Sequence, residues 1–218
     1  MSKKKTENSR AERKPVKHFA EAIAALRRGN VIVFPTETLY GLGADALNSE
    51  AVEQVFQLKG RDPVNPIPVL VSDREMLHTV VADIPEAAQE LISQFWPGPL
   101  TLILPARKNI PKALCNPSGG VGVRISSQAI ATRLVSALGR PLTATSANPS
   151  GKEPARTVQE AKTYFGEQIE VFVEGGKLTA KTGSTVVDVM GDRIKIIRQG
   201  EINAAELGRV LGREKIFR

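Results

Sequence analysis

Four segments of the chain gather side chains able to hold or polarise a charged small molecule. Pro35-Thr36-Glu37-Thr38-Leu39-Tyr40-Gly41-Leu42-Gly43 follows directly on an apolar run at residues 31–34. A loop leaving a strand of an α/β sheet is where ligands usually lie, and this one supplies hydroxyls, a carboxylate and glycines that admit a close backbone approach. Lys59-Gly60-Arg61 closes a helical pattern, where the helix dipole favours cations whatever the function. The Asp62-Pro63-Val64-Asn65-Pro66 turn that follows can aim the point charge of Lys59, the fork of Arg61 and the amide of Asn65 at one triphosphate. Thr143-Ala144-Thr145-Ser146-Ala147-Asn148-Pro149-Ser150-Gly151 leaves another apolar run, and Ser146 and Asn148, two apart, face one side if the backbone is extended. Gly183-Ser184-Thr185-Val186-Val187-Asp188 opens a strand with two hydroxyls, and Arg198-Gln199-Gly200 closes the next. Arg124 ends the run at 121–125, where an inward guanidinium needs an anionic partner. Each segment alone also reads as something plainer: a polar turn, a helix cap, an ordinary Asn-Pro-Ser-Gly turn.

Several other chemistries are excluded. There is no G-x-x-x-x-G-K-[ST], and Gly41-Leu42-Gly43 lacks the third glycine of a dinucleotide fingerprint. Cys115, with only His18 and His78 beside it, permits neither an internal disulfide nor a Cys/His zinc site. The 218 residues, 41% hydrophobic and 24% charged, suffice for one domain with a substantial core. No run of about 18 uncharged apolar residues occurs, and the N-terminal MSKKKTENSRAERK lacks an apolar centre, so the expectation is a soluble, cytoplasmic protein with no membrane contact. Residues 1–14 hold six Lys and Arg against two Glu, a net +4 of the chain's +7. They read as a basic, disordered arm, with weak RNA binding as the sharper alternative.

The elements that must position these groups follow from periodicity and punctuation. Phe19, Ala22, Ile23 and Leu26 fall at helical spacing before Gly29-Asn30. Asn48 caps a second helix with Val52, Val55 and Phe56 inward. Residues 31–34, 67–71, 100–104, 121–125 and 141–144 read as short strands, and 86–95, 128–138 and 158–165 as helices. Three extended runs come late, at 169–173, 184–190 and 193–197, with Gly191-Asp192 as a tight turn. Strands interleaved with helices and followed by a hairpin predict an α/β fold with a mixed sheet. No linker divides residues 15–218, which are expected to be a single domain.

The motifs in order, Pro-Thr-Glu-Thr-x-Tyr-Gly-Leu-Gly, Lys-x-Arg with Asn-Pro, Trp-Pro-Gly-Pro-Leu-Thr, Val-x-Val-Arg, Ser-x-Asn-x-Ser-Gly, Ser-Thr-Val-Val-Asp and Ile-x-Arg-x-Gly, resemble the YrdC-like family of threonylcarbamoyl-AMP synthases over residues 19–202. The resemblance implies a twisted mixed β-sheet with flanking helices around a deep basic cavity. It also implies condensation of L-threonine, bicarbonate and ATP to threonylcarbamoyl-AMP and pyrophosphate, a product passed to tRNA-modifying proteins. Carried over, Thr36, Arg124 and Ser184 bind threonine, with Arg124 on its carboxylate. Lys59, Arg61, Asn65, Ser146, Asn148 and Arg198 bind the nucleotide, and Lys59, Arg61, Ser146 and Asn148 form the catalytic set. Mg²⁺ arrives with ATP, with no dedicated metal ligands.

This chain has Leu70 and Gln128 where longer relatives often carry histidine, and it ends soon after Arg198, short of their second domain. The expectation is a short form whose lid, if any, comes from a partner or the arm. Glu37 is a candidate general base, with water or bicarbonate-derived species as the alternative. Two other readings stay open: an RNA-binding module of the same fold, and a paralogue forming a carbamoyl-adenylate on another substrate.

Overall fold

A computed structural model describes residues 16–60, 66–191, 194–212 and 216–217. The basic arm at 1–14, Arg61, Asn65 and Asp192 of the expected late turn lie outside the described residues. In chain order the elements are α1 (Phe19–Arg27), β1 (Ile32–Pro35), β2 (Tyr40–Gly43), α2 (Ser49–Lys59), β3 (Val69–Leu70), α3 (Arg74–Val80), α4 (Glu86–Phe95), β4 (Leu100–Pro105), β5 (Gly120–Arg124), α5 (Ala129–Leu138), β6 (Leu142–Thr143), β7 (Thr145–Ser146), α6 (Val158–Phe165), β8 (Thr185–Asp188), β9 (Ile194–Arg198), α7 (Ala204–Leu211) and β10 (Ile216–Phe217).

The fold is mixed α/β, as the motif order implies, but its described strands form two sheets rather than one. β1, β2 and β7 make a three-stranded antiparallel sheet, and the others a seven-stranded sheet in the order β10-β9-β8-β4-β5-β3-β6. In the large sheet β4 runs parallel to β8 and antiparallel to β5, and β3 runs parallel to β5.

The small sheet exists because the chain reverses at residues 36–39 and returns as β2, pairing Phe34 with Gly41 and Ile32 with Gly43. A Cβ on Gly43 would lie 2.7 Å from Phe34 Cε1, and one on Gly41 would lie 3.3 Å from the same atom. These glycines, expected to admit a ligand, first of all make room for the buried Phe34 ring. Residues 169–173, expected as a strand, form no ladder. The segment runs beside β1 through two hydrogen bonds, Val33 N to Val171 O (3.0 Å) and Val173 N to Val33 O (2.8 Å).

Asn48 caps α2 by accepting from the N–H groups of Glu50 and Ala51, and Gly60 ends the helix at φ 55°, a left-handed conformation that costs glycine little. One buried cluster joins α2, α4, α6 and α7 to the large sheet; a second joins α1 and α5 to Ile32 and Phe34 of β1. The two clusters fix the small sheet against the large one, and the candidate site lies where they face each other.

Candidate functional site

A cavity of about 420 Å³ is lined by Tyr40, Gly41 and Ser146 from the small sheet, by Thr101 and Gly122 from the large one and by Ser184 just ahead of β8. Its origin is visible in β5, which reads Gly-Val-Gly-Val-Arg. Val121 and Val123 are fully buried in the core, while Gly120, Gly122 and Arg124, on the other face, line the cavity. The strand therefore presents bare backbone until Arg124. A Cβ on Gly122 would lie 3.3 Å from both Pro68 Cβ and Thr101 Cγ2, so the floor there is already tight.

Arg124 is only 4% exposed. Its Nη1 donates to Glu37 Oε1 in a close ion pair, and Ser126 Oγ donates to Glu37 Oε2. Burial pushes the Arg124 pKa down from its ordinary value, and the charge and hydrogen bond of Glu37 push it back up. Ser126 in turn accepts from Gln128 N (3.2 Å) and, through its carbonyl, from Thr132 Oγ1 (2.9 Å), which ties this cluster to the first turn of α5.

The Thr36 hydroxyl is engaged within its own loop, donating to Leu39 O (2.7 Å) and accepting from Thr38 N and Leu39 N (3.2 Å each). Thr36 still lines the cavity. Tyr40, at the return of the same hairpin, is fixed through its hydroxyl, which donates to Gly176 O (2.8 Å) and accepts from Gly175 N (3.0 Å), and burial raises its pKa.

Lys59 does not sit at a solvated helix end, as its place beside Gly60 suggests; it is 3% exposed. Its Nζ donates to Ser146 O (2.7 Å) and Asn148 O (2.8 Å), and its own carbonyl accepts from Ser150 N (2.8 Å). The ammonium thus pins the whole Ser146–Asn148 segment to the end of α2. That segment is a tight turn rather than extended backbone, because Asn148 N donates to Ser146 O (3.0 Å) across Ala147. Asn148 Nδ2 donates to Pro149 O (2.9 Å) and Lys152 O (2.7 Å), while its Oδ1, buried, has no hydrogen-bond partner among the described residues. A buried orphan acceptor is rare in folded proteins; of Lys59, Ser146 and Asn148, Ser146 lines the cavity and the other two stand behind its wall.

Ser184 and Arg198, which the resemblance sends to different substrates, touch each other. Arg198 Nη2 donates to Ser184 O (2.8 Å) and Ser184 Oγ (3.2 Å), and Ser184 Oγ also shares a hydrogen bond with Thr101 Oγ1 (2.9 Å). The register that pairs Leu102 with Val123 puts Thr101 beside Arg124. A row therefore runs from Arg198 at the end of β9 through Ser184, just ahead of β8, and Thr101 of β4 to Arg124 of β5. The crossing that sets it up is close: a Cβ on Gly200 would meet Gly183 O at 2.1 Å.

The two departures from longer relatives have local explanations. Leu70 is buried in the α1–α5 cluster, and Gln128 caps α5 by accepting from Ile130 N (3.4 Å). Sequence reasoning missed Thr101, Ser126 and the binding of Glu37 to Arg124. A serine just ahead of a helix is a legible capping signal, but pairing across 87 residues leaves no local trace. Among the described residues no three His, Cys, Asp or Glu side chains cluster as a metal site, and no helix is long and apolar enough to cross a membrane.

The Sua5/YciO/YrdC family, described as telomere recombination, matches residues 24–200. A threonylcarbamoyl-AMP synthase of Pyrococcus abyssi is 37% identical over 94% of this chain and 61% of its own length. A putative threonylcarbamoyl-AMP synthase of Mycobacterium tuberculosis is 34% identical over 89% of both chains. The crystal structure of P. abyssi Sua5 complexed with L-threonine superposes with a TM-score of 0.87 at 36% identity, covering 91% of this chain and 58% of that one. The chain thus spans about three fifths of the Pyrococcus protein and nearly all of the mycobacterial one.

Proposed function

Since the chain belongs to the Sua5/YciO/YrdC family, we propose that it condenses L-threonine, bicarbonate and ATP, the last as its magnesium complex, into threonylcarbamoyl-AMP with release of pyrophosphate. The observation that carries this reading is the buried Arg124 guanidinium at the end of a bare strand, joined by Thr101 and Ser184 to Arg198 in one cavity. A carboxylate and a polyphosphate recognised along one row is what joining an amino acid to a nucleotide requires.

In this reading Arg124 takes the threonine carboxylate as a planar fork, with Thr36 and Ser184 around the rest of the small substrate. Threonine and bicarbonate combine with loss of water to a carbamate. A carbamate oxygen then attacks the α-phosphorus, and the bond to the bridging oxygen breaks as pyrophosphate leaves. The residues act chiefly by positioning and by neutralising charge on the phosphates. Arg198 stands where the amino acid and phosphates meet. Lys59 acts by holding the Ser146–Asn148 turn, of which Ser146 lines the cavity and meets the nucleotide. Arg61 and Asn65 complete the phosphate contacts by resemblance. Glu37, with one oxygen on Arg124 and the other on Ser126, holds the guanidinium in this reading, and water or bicarbonate-derived species take the amine proton. The product is consumed by tRNA-modifying proteins in the cytoplasm.

Pyrophosphate release measured with bicarbonate and each of several amino acids tests the proposal. Turnover requiring L-threonine, bicarbonate and Mg²⁺ together supports it. Equal turnover with serine, glycine or no amino acid moves the assignment to a carbamoyl-adenylate former of another specificity.

A further inference from the structure

The arginine that meets the substrate carboxylate is itself held by a carboxylate. Glu37 sits in the hairpin between β1 and β2, with its side chain only 14% exposed, against 5% for that of Arg124. Both of its oxygens are taken, one by Arg124 Nη1 and the other by the hydroxyl of the buried Ser126. Arg124 lines the cavity and Glu37 does not, although its neighbours Thr36 and Thr38 do. Glu37 therefore holds the guanidinium without itself lining the cavity. The contact to Glu37 is the guanidinium's one hydrogen bond among the described residues, so Nε and Nη2 remain for a ligand.

The grip has a rigid base. Ser126 precedes α5, accepts from Gln128 N, and its carbonyl takes the Thr132 hydroxyl. The N-terminus of α5 lies beside this cluster, with Gln128 as its N-cap. The links run from α5 through Ser126 and Glu37 to Arg124, joining the small sheet to the large one at the point of substrate recognition.

We propose that Glu37 is a positioning residue for carboxylate recognition: anchored by Ser126, it holds Arg124 Nη1 and turns the free edge of the guanidinium toward the cavity. The inference rests on the proposed function, which makes the ligand of Arg124 an amino-acid carboxylate. It assigns Glu37 a part in substrate selection rather than in proton transfer. A buried arginine without this partner would lose both its orientation and the charge that keeps it ionised at low cost.

The test is calorimetric binding of L-threonine, L-threoninamide and ATP to the parent, Glu37→Gln, Arg124→Lys and the double variant. L-threoninamide lacks the carboxylate and reports everything but the Arg124 contact. Glu37→Gln keeps the shape and should weaken L-threonine about tenfold, the scale of one charge-assisted hydrogen bond. L-threoninamide and ATP should stay within about twofold of the parent, a change well under 1.4 kcal/mol. The double variant should bind L-threonine no worse than Arg124→Lys, because both changes act through one guanidinium. If Glu37→Gln does not fold, Ser126→Ala provides the same readout, with a loss of about threefold confined to L-threonine, as for a single neutral hydrogen bond.

Tighter L-threonine binding in Glu37→Gln would show that Glu37 competes for the substrate's place and would overturn the inference. Unchanged binding, an equal loss for ATP, or additive losses in the double variant would overturn it as well. A parent that binds no L-threonine overturns the proposed function itself, and this inference with it.

Discussion

Replacing Lys59 by methionine removes the ammonium while keeping most of the apolar stem, and the structure makes the consequence twofold. In the parent, Nζ donates to Ser146 O and Asn148 O at 2.7 and 2.8 Å from a side chain that is 3% exposed. Each charge-assisted bond is worth about 1.5–3 kcal/mol, and the carbonyls left behind are in a buried turn. Relief from burying the ammonium offsets part of this, leaving a net loss of about 2–4 kcal/mol. For a chain of this size each kcal/mol lowers Tm by about 2–4 °C, so Lys59→Met should melt about 5–15 °C below the parent. With the Ser146–Asn148 turn released, the nucleotide contact proposed for it loses its preorganisation, and turnover should fall by about 10² to 10³. The assay pairs a melting curve with pyrophosphate release at saturating substrates, measured well below the variant's Tm. A Lys59→Met protein melting within about 1 °C of the parent would refute the pinning role, since even one lost bond of this kind exceeds that. A lowered Tm with parental turnover would instead make Lys59 purely structural and remove it from the catalytic set.

Other consequences follow from single contacts. Arg124→Lys keeps a charge but not the fork, so the apparent affinity for threonine should drop by more than that for ATP; an equal loss for both would take Arg124 out of the amino-acid subsite. Gly43→Ala forces a Cβ to 2.7 Å from the buried Phe34 ring and should cost about 1–3 kcal/mol by melting, with parental stability showing that the hairpin yields freely. Glu201 accepts from Thr182 N (2.6 Å) and Thr182 Oγ1 (2.8 Å), which hold its carboxyl below the usual carboxylate range. A folded-state pKa below the unfolded one gives stability that is present above the unfolded pKa and lost as pH falls through the folded one. The parent should therefore be more stable than Glu201→Gln at neutral pH, with the gap closing in acid; a gap independent of pH would contradict this.

Much of the fold is legible where one local signal suffices. The helix expected over 86–95 forms with those bounds, and Asn48 caps α2 as its position suggests. What escapes is structure decided elsewhere in the chain. β2 reads as a glycine-rich loop because its strand character depends on the Phe34 ring lying over Gly41 and Gly43. α3 is short, and its Asp73 cap reads equally well as a turn. α7 did leave a sign, the capping box of Asn203 and Glu206, beyond the last motif. In the site, residue types announce Arg124, Ser184 and Arg198, but their mutual contacts depend on strand order. The burial of Lys59 is hidden for the same reason, since its partners arrive 87 and 89 residues later.

Whether this cavity joins a carbamate of threonine to AMP is answered most directly by isotopic labelling. The purified chain is incubated with ATP, Mg²⁺, L-threonine and ¹³C-bicarbonate, and the nucleotide products are resolved by mass. The expected product is an adenylate containing threonine and the labelled carbon, with pyrophosphate formed in equal amount. An unlabelled adenylate, an adenylate without threonine, or phosphate in place of pyrophosphate would contradict the proposed reaction.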